Sequence, residues 1–231
     1  MTDLILLPGL LCDATVWAPQ KEVLSGEFRV TAWRHFHGHD SLGGMAREVV
    51  DEAPQRFALA GHSMGGRVAL EIMRTAPERV ERLALFDTTA TPATADEPQQ
   101  RQEMIELARK QGMAAFAARW LPMIVHPQRL HERQFIKALT GMICRATPQI
   151  FERQAAALLK RPDYRALLPQ ITCPTLVACG RDDLWSPVAP HEEIAAAIPG
   201  AKLALIDNCA HMATVEAPAE VAGLLRAWLM D

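Results

Sequence analysis

Residues 57–72 restrict the fold more than any other segment. Phe57-Ala58-Leu59-Ala60 is a short apolar run, Gly61-His62-Ser63-Met64-Gly65-Gly66 interrupts it with three glycines, and Arg67-Val68-Ala69-Leu70-Glu71-Ile72 resumes with apolar residues near the helical period. A strand that turns so sharply into a helix belongs to a βα unit, which implies parallel neighbours and helices packed on the sheet. Glycines two residues before and two residues after Ser63 leave room for a strained backbone that lifts its hydroxyl clear of the sheet. The N-terminus of the following helix favours negative charge that develops nearby.

The same rhythm recurs along the chain. Apolar runs at Leu4–Leu7, Phe28–Trp33, Phe57–Ala60, Leu83–Asp87, Thr175–Cys179 and Lys202–Ile206 read as strands, and Leu42–Glu52, Gly65–Thr75, His191–Ala197 and Ala219–Met230 read as helices. This predicts an α/β fold, a mostly parallel sheet of about six strands with helices on both faces. The rhythm breaks between residues 91 and 168, where the apolar positions (Met104, Phe116, Trp120, Met123, Phe135, Met142, Phe151, Leu158) suit consecutive helices and no strand. We expect residues 1–90 and 169–231 to form the core domain and residues 91–168 to form an inserted helical cap, because long insertions in α/β folds commonly serve as lids.

Charge separates these two parts. Residues 91–170 hold twelve Arg and Lys against seven Asp and Glu, a net of +5, so the remainder carries −8 to give the chain's −3. The overall balance gives no basic field for nucleic acid. No run reaches the roughly 18 apolar residues that span a bilayer, and Met1-Thr2-Asp3 before Leu4 lacks the basic start of a signal peptide. A soluble, cytoplasmic protein with no membrane partner is therefore expected. Cys12, Cys144, Cys173, Cys179 and Cys209 form an odd, scattered set without a C-x-x-C pair, which argues for reduced thiols. His35, His37 and His39 alternate within a loop marked by Gly38, Asp40 and Ser41, and nothing completes a metal site around them.

A serine hydroxyl becomes a useful nucleophile only when a base removes its proton, and the base needs an orienting group. His211 follows the last apolar run in Asp207-Asn208-Cys209-Ala210-His211-Met212, where a loop at the sheet's C-terminal edge can present it to Ser63. Three carboxylates compete as the orienting acid: Asp182 and Asp183 after Thr175–Cys179, and Asp87 after Leu83–Phe86. Acyl transfer also needs donors for an oxyanion, and the main-chain N–H groups of Met64, after Ser63, and Leu10, after the first strand, occupy the expected positions. Trp17, Phe116, Trp120, Met123 and Trp185 are candidates for a pocket wall.

These residues closely resemble the α/β-hydrolase superfamily. Gly61-His62-Ser63-Met64-Gly65-Gly66 matches a common form of its nucleophile elbow, Gly180-Arg181-Asp182-Asp183-Leu184-Trp185-Ser186-Pro187 is similar to its acid loop, and Ala210-His211 with Glu216-Ala217-Pro218 is similar to its histidine region. In that acid loop the carboxylate is the third residue after the glycine, which selects Asp183. Two features depart from the usual pattern: Pro8-Gly9 replaces His-Gly in the oxyanion loop, and no strand pair precedes Leu4. Size, insertion and elbow resemble small carboxylesterases and pimeloyl-[acyl-carrier protein] methyl ester esterases. The resemblance implies cofactor-free hydrolysis of a small-molecule ester through an acyl-enzyme intermediate on Ser63, with an acidic acyl carrier protein as an expected partner of the basic insertion. The same machinery serves perhydrolase, lactone, amide and carbon–carbon bond hydrolysis, and the fold can also act as a non-catalytic ligand receptor.

Overall fold

The computed structural model describes all 231 residues, Met1–Asp231. Six strands, β1 (Asp3–Leu7), β2 (Arg29–Ala32), β3 (Phe57–His62), β4 (Val80–Phe86), β5 (Thr175–Gly180) and β6 (Lys202–Ile206), form one sheet. Their order is β2-β1-β3-β4-β5-β6 and every pairing is parallel. β3 and β5 are buried along their whole length, as near-continuous apolar runs covered on both faces must be. Of the edge strands, β2 exposes alternate residues, Arg29 and Thr31, and β6 exposes Lys202 and Leu203 at its start.

The chain runs outward from β1 to β2 and returns to β3 on the other side of β1. Two loops therefore diverge above the carboxyl ends of β1 and β3. Such a reversal of strand order is where open α/β sheets form ligand crevices, and the Pro8–Cys12 loop and Ser63 both stand at this point.

Helices α1 (Ala18–Leu24), α2 (Leu42–Glu52), α3 (Met64–Thr75), α7 (Val188–Ala197), α8 (Ala213–Glu216) and α9 (Pro218–Met230) accompany the sheet. α1 is absent from the sequence expectation, since seven residues with a proline at the second position give too short a periodic signal. Between β4 and β5 stand α4 (Glu97–Ile124), α5 (Arg133–Ile143) and α6 (Pro148–Leu159) with no strand among them. α4 is two helical segments joined at Gly112, whose φ of 85° lies in the left-handed region open to glycine. No helix is long and apolar enough to cross a membrane.

One continuous apolar core runs from the sheet into this insertion, taking in Leu59 and Phe86 together with Phe116, Trp120 and Phe151. The insertion is thus packed on the sheet domain rather than tethered to it. Trp17, expected at a pocket wall, is instead fully buried. Its indole N–H donates to Leu7 O at 2.9 Å, and its ring meets Phe86 edge-on at 5.7 Å. A buried indole must find an acceptor, and Trp17 finds it at the end of β1, where it fixes the strand that leads into the loop at Pro8.

Candidate active site

Ser63 sits between β3 and α3 with φ 54° and ψ −115°, a strained conformation for a residue with a side chain. Its own N–H donates to Phe86 O at 2.9 Å, which ties the turn to the end of β4. The flanking glycines are required by close approach. A Cβ on Gly61 would lie 2.3 Å from Gly65 O, and one on Gly65 would lie 2.4 Å from Leu7 O. Without side chains there, the first turn of α3 rests directly on the end of β1, with Gly65 against Leu7 and Pro8.

The structure brings Ser63, His211 and Asp183 together from three separate loops. Ser63 Oγ lies 2.8 Å from His211 Nε2, and His211 Nδ1 lies 2.8 Å from Asp183 Oδ2. A carboxylate only accepts, so Nδ1 carries the proton and Nε2 presents a lone pair to the Ser63 hydroxyl. Asp183 Oδ1 accepts from the N–H groups of Trp185 and Ser186 at 2.8 and 2.9 Å. Burial alone would raise the Asp183 carboxyl, but the His211 imidazole and these N–H donors outweigh it and hold the group below its ordinary range. Asp182 points away: its side chain is half exposed and lies 3.4 Å from His126. Asp87 is buried below the site, where Oδ1 accepts from Gly180 N–H at 3.0 Å and Oδ2 has no hydrogen-bond partner. Oδ2 lies 3.6 Å from His62 Nε2, and Asp87 forms no hydrogen bond or ion pair with the His211 side chain.

Leu10 N–H donates to no other residue, and Met64, as the first residue of α3, has no acceptor within its own helix. Both expected oxyanion donors are therefore free. Pro8-Gly9 substitutes for the usual His-Gly with a tight fit, since a side chain on Gly9 would meet His62 Nδ1 at 2.9 Å and Ser63 Cβ at 3.2 Å. His62 itself is turned to the His211 backbone: its Nε2–H donates to the His211 carbonyl at 2.7 Å. Burial first, then the neighbouring His211, push its pKa down to about 3, so it stays neutral.

Polar side chains to which the sequence assigned no role, Gln154, Glu216, His191 and Thr88, hold the loops in place. Gln154, wholly buried on α6, accepts from Leu11 N–H at 2.8 Å and donates to Phe36 O at 3.3 Å. Glu216 accepts from the N–H groups of His126, Ala210 and Met212, which fixes the backbone on both sides of His211. His191 accepts from Thr88 N–H at 2.9 Å and pairs with Pro187 O at 2.8 Å, and Thr88 Oγ in turn donates to Ser63 O at 2.8 Å. Gln154 did leave a trace in the sequence. With Phe151, Ala155 and Leu158 it occupies the i, i+3, i+4, i+7 face of α6, and a polar residue on a buried face must be hydrogen-bonded.

A cavity of about 460 Å³ opens between α4, α6, the α3 end and the acid loop. Phe116, Trp120, Met123 and Trp185 are among the residues that line it, and Trp17 is not. Ser63 and His211 are not on its wall. Trp185 links the two, with its ring 6.5 Å from both the His211 and Trp120 rings.

Comparison with known proteins agrees with this architecture. The sequence model of the alpha/beta hydrolase family matches residues 4–224. A pimeloyl-[acyl-carrier protein] methyl ester esterase from Nitrosomonas europaea is 29% identical over 90% of this chain and 88% of its own length. RutD from Rhizobium rhizogenes, provisionally named a carbamate hydrolase, is 30% identical over 94% of this chain and 88% of its own length. Among solved structures, a thermophilic esterase from Thermogutta terrifontis, with malate bound, superposes with a TM-score of 0.91 at 29% identity, covering all of this chain and 90% of that one. With the family's pattern extending over nearly the whole sequence and its sheet order and turn geometry present, the chain belongs to the alpha/beta hydrolase family.

Proposed function

We propose that this chain is a serine esterase in which Ser63 attacks a carboxylic ester, His211 takes and returns the proton, and Asp183 orients His211. The observation that carries the reading is the unbroken hydrogen-bond relay from Ser63 Oγ through both His211 nitrogens to Asp183. Attack by Oγ on the carbonyl carbon transfers the hydroxyl proton to Nε2 and places negative charge on the carbonyl oxygen, where the Leu10 and Met64 N–H groups receive it. Collapse expels the alcohol, which leaves with the proton from Nε2. Water then repeats the sequence on the acyl-enzyme and releases the acid. The strained backbone at Ser63 and the start of α3 both favour the charged intermediate over the resting ester.

Residues 91–168 serve in this reading as the cap, with Phe116, Trp120, Met123 and Trp185 forming the acyl pocket. The esterase names among the relatives favour an ester over the other bonds this machinery can break. A carrier-bound acyl group is the second reading, favoured by the excess of Arg and Lys in the cap and by the carrier-protein esterase among the relatives. Ester turnover is checked with p-nitrophenyl butyrate, and the nucleophile with a fluorophosphonate probe. One label per chain, on the peptide containing Ser63, is the expected result; turnover without labelling of that peptide contradicts the assignment.

Gln154 gives a test of the oxyanion loop. Gln154→Ala strips Leu11 N–H and Phe36 O of their partners in a buried site, which costs about 1–3 kcal/mol and is read as a lowered urea midpoint. Because Leu11 adjoins the oxyanion donor Leu10, kcat for the p-nitrophenyl ester should fall about tenfold while KM stays within a factor of about two, the pattern of an interaction felt in the transition state.

A further inference from the structure

Two buried guanidinium groups, Arg67 and Arg101, line the cavity between the cap and the sheet domain, and a third, Arg161, is buried behind its Glu97 wall; only Arg161 is satisfied. Arg161 shows what a satisfied one looks like in this protein. It meets both oxygens of Glu97 at 2.6 and 2.7 Å and donates to the carbonyls of Thr91, Pro92 and Leu158. Arg67 and Arg101 are each only 8% exposed and have nothing comparable. Arg67 makes one hydrogen bond, to Thr89 Oγ at 2.9 Å, and its buried Nε has no partner. Arg101 makes no hydrogen bond or ion pair with another residue, and its guanidinium stands over the Trp185 ring at 5.6 Å.

Removing a cation from water without a counter-charge is strongly unfavourable, yet two such groups face one space. Of the carboxylates that line the same cavity, Glu97 lies close enough for its charge to act on both, yet neither guanidinium forms a hydrogen bond or ion pair with it. Glu97 is occupied by Arg161, and Glu103 lies exposed at the rim beside Gln99. Burial, reinforced by the other guanidinium groups nearby, pushes Arg67 down to about 9, and burial pushes Arg101 down to about 10. An anion in the cavity would relieve both.

Position relates these two arginines to the chemistry. Arg67 lies one helical turn beyond Ser63, with its N–H donating to Ser63 O at 3.3 Å. Trp185 neighbours both groups, with its ring 6.5 Å from the His211 ring and 5.6 Å from the Arg101 guanidinium. A ligand whose ester carbonyl reaches Ser63 would have its far end beside these two arginines.

We propose that Arg67 and Arg101 form a carboxylate-binding subsite, so that the preferred substrate is an ester bearing a second, free carboxylate, such as a half-ester of a short dicarboxylic acid. This inference rests on the serine-esterase reading above for the orientation of the substrate. The planar fork of a guanidinium suits a carboxylate better than a point charge would, and the Phe116, Trp120 and Trp185 rings offer an apolar passage for the methylenes between the two ends.

Monomethyl glutarate and its neutral counterpart, dimethyl glutarate, test the subsite. Calorimetric titration into Ser63→Ala should give at least tenfold tighter binding of the monomethyl compound, and the wild-type kcat/KM should show the same preference, expressed in KM. Arg101→Gln should remove most of that preference and Arg101→Lys should restore part of it. Arg67→Gln should act as Arg101→Gln does, and Arg101→Gln alone suffices if the Arg67 variant does not fold. Turnover of both esters with no preference, or a preference that survives Arg101→Gln, overturns the subsite and leaves the esterase intact. Selective binding of the monomethyl compound without turnover of either ester sustains the subsite and refutes the esterase.

Discussion

Ser63→Ala is expected to lower kcat for p-nitrophenyl esters by about a millionfold, the scale on which a triad that works as a unit fails when its nucleophile is removed. The substitution deletes one oxygen and keeps the Cβ, so the strained turn at Ser63 and the hydrogen bonds of its backbone to Phe86 and Thr88 remain. The melting temperature should therefore stay within a few degrees of wild type while activity disappears. His211→Ala should cost about as much in kcat, and the double variant should be no slower than either single one, because the serine and the histidine perform one step. A double variant that is slower by the product of the two single losses would mean that the residues act independently, and the proposed relay would fall.

The sequence made the sheet legible because parallel strands covered on both faces are apolar throughout, and Phe57–His62 and Thr175–Gly180 announce themselves by that alone. The elbow was legible for a different reason. Gly61 and Gly65 stand where a single Cβ would strike backbone, so the steric demand of the turn is written in residue identity. Trp17 shows the opposite case. An aromatic residue close to a pocket loop in sequence can face the core or the pocket, and which one depends on the Leu7 carbonyl and on Phe86, 69 residues away in the chain, neither of which leaves a local trace. Gln154, Glu216 and His191 are similar: each joins segments far apart in sequence, and only their polarity on otherwise buried faces hints at a task. The unsatisfied state of Arg67 and Arg101 is still less legible. Arg161 has the same chemistry and nearly the same burial, and what separates it from them is the location of Glu97 in space.

The choice of acid is decided by two substitutions whose consequences run in opposite directions. Asp183→Asn should lower kcat about ten-thousandfold, because an amide donates to His211 Nδ1, moves the ring proton to Nε2 and leaves no lone pair for the Ser63 hydroxyl. Asp87→Asn should keep kcat within tenfold, since Asp87 forms no hydrogen bond or ion pair with the His211 side chain and the amide oxygen can still accept from Gly180 N–H. Stability separates them further. Asp183 is held below its ordinary pKa despite its burial, so its contribution is present above about pH 4 and is lost as the pH falls through its native value; Asp183→Asn should therefore destabilise the protein at neutral pH. Asp87 is raised well above its ordinary value, first by burial and then by the Asp183 charge. The native state then binds a proton that the unfolded chain has released, so stability declines as the pH rises from about 4 toward the native pKa, by up to about 1.4 kcal/mol per unit. Asp87→Asn removes that decline, and its melting temperature should gain on wild type as the pH rises above about 4. If Asp87→Asn instead abolished turnover and Asp183→Asn left it within tenfold, the relay would run through the wrong carboxylate.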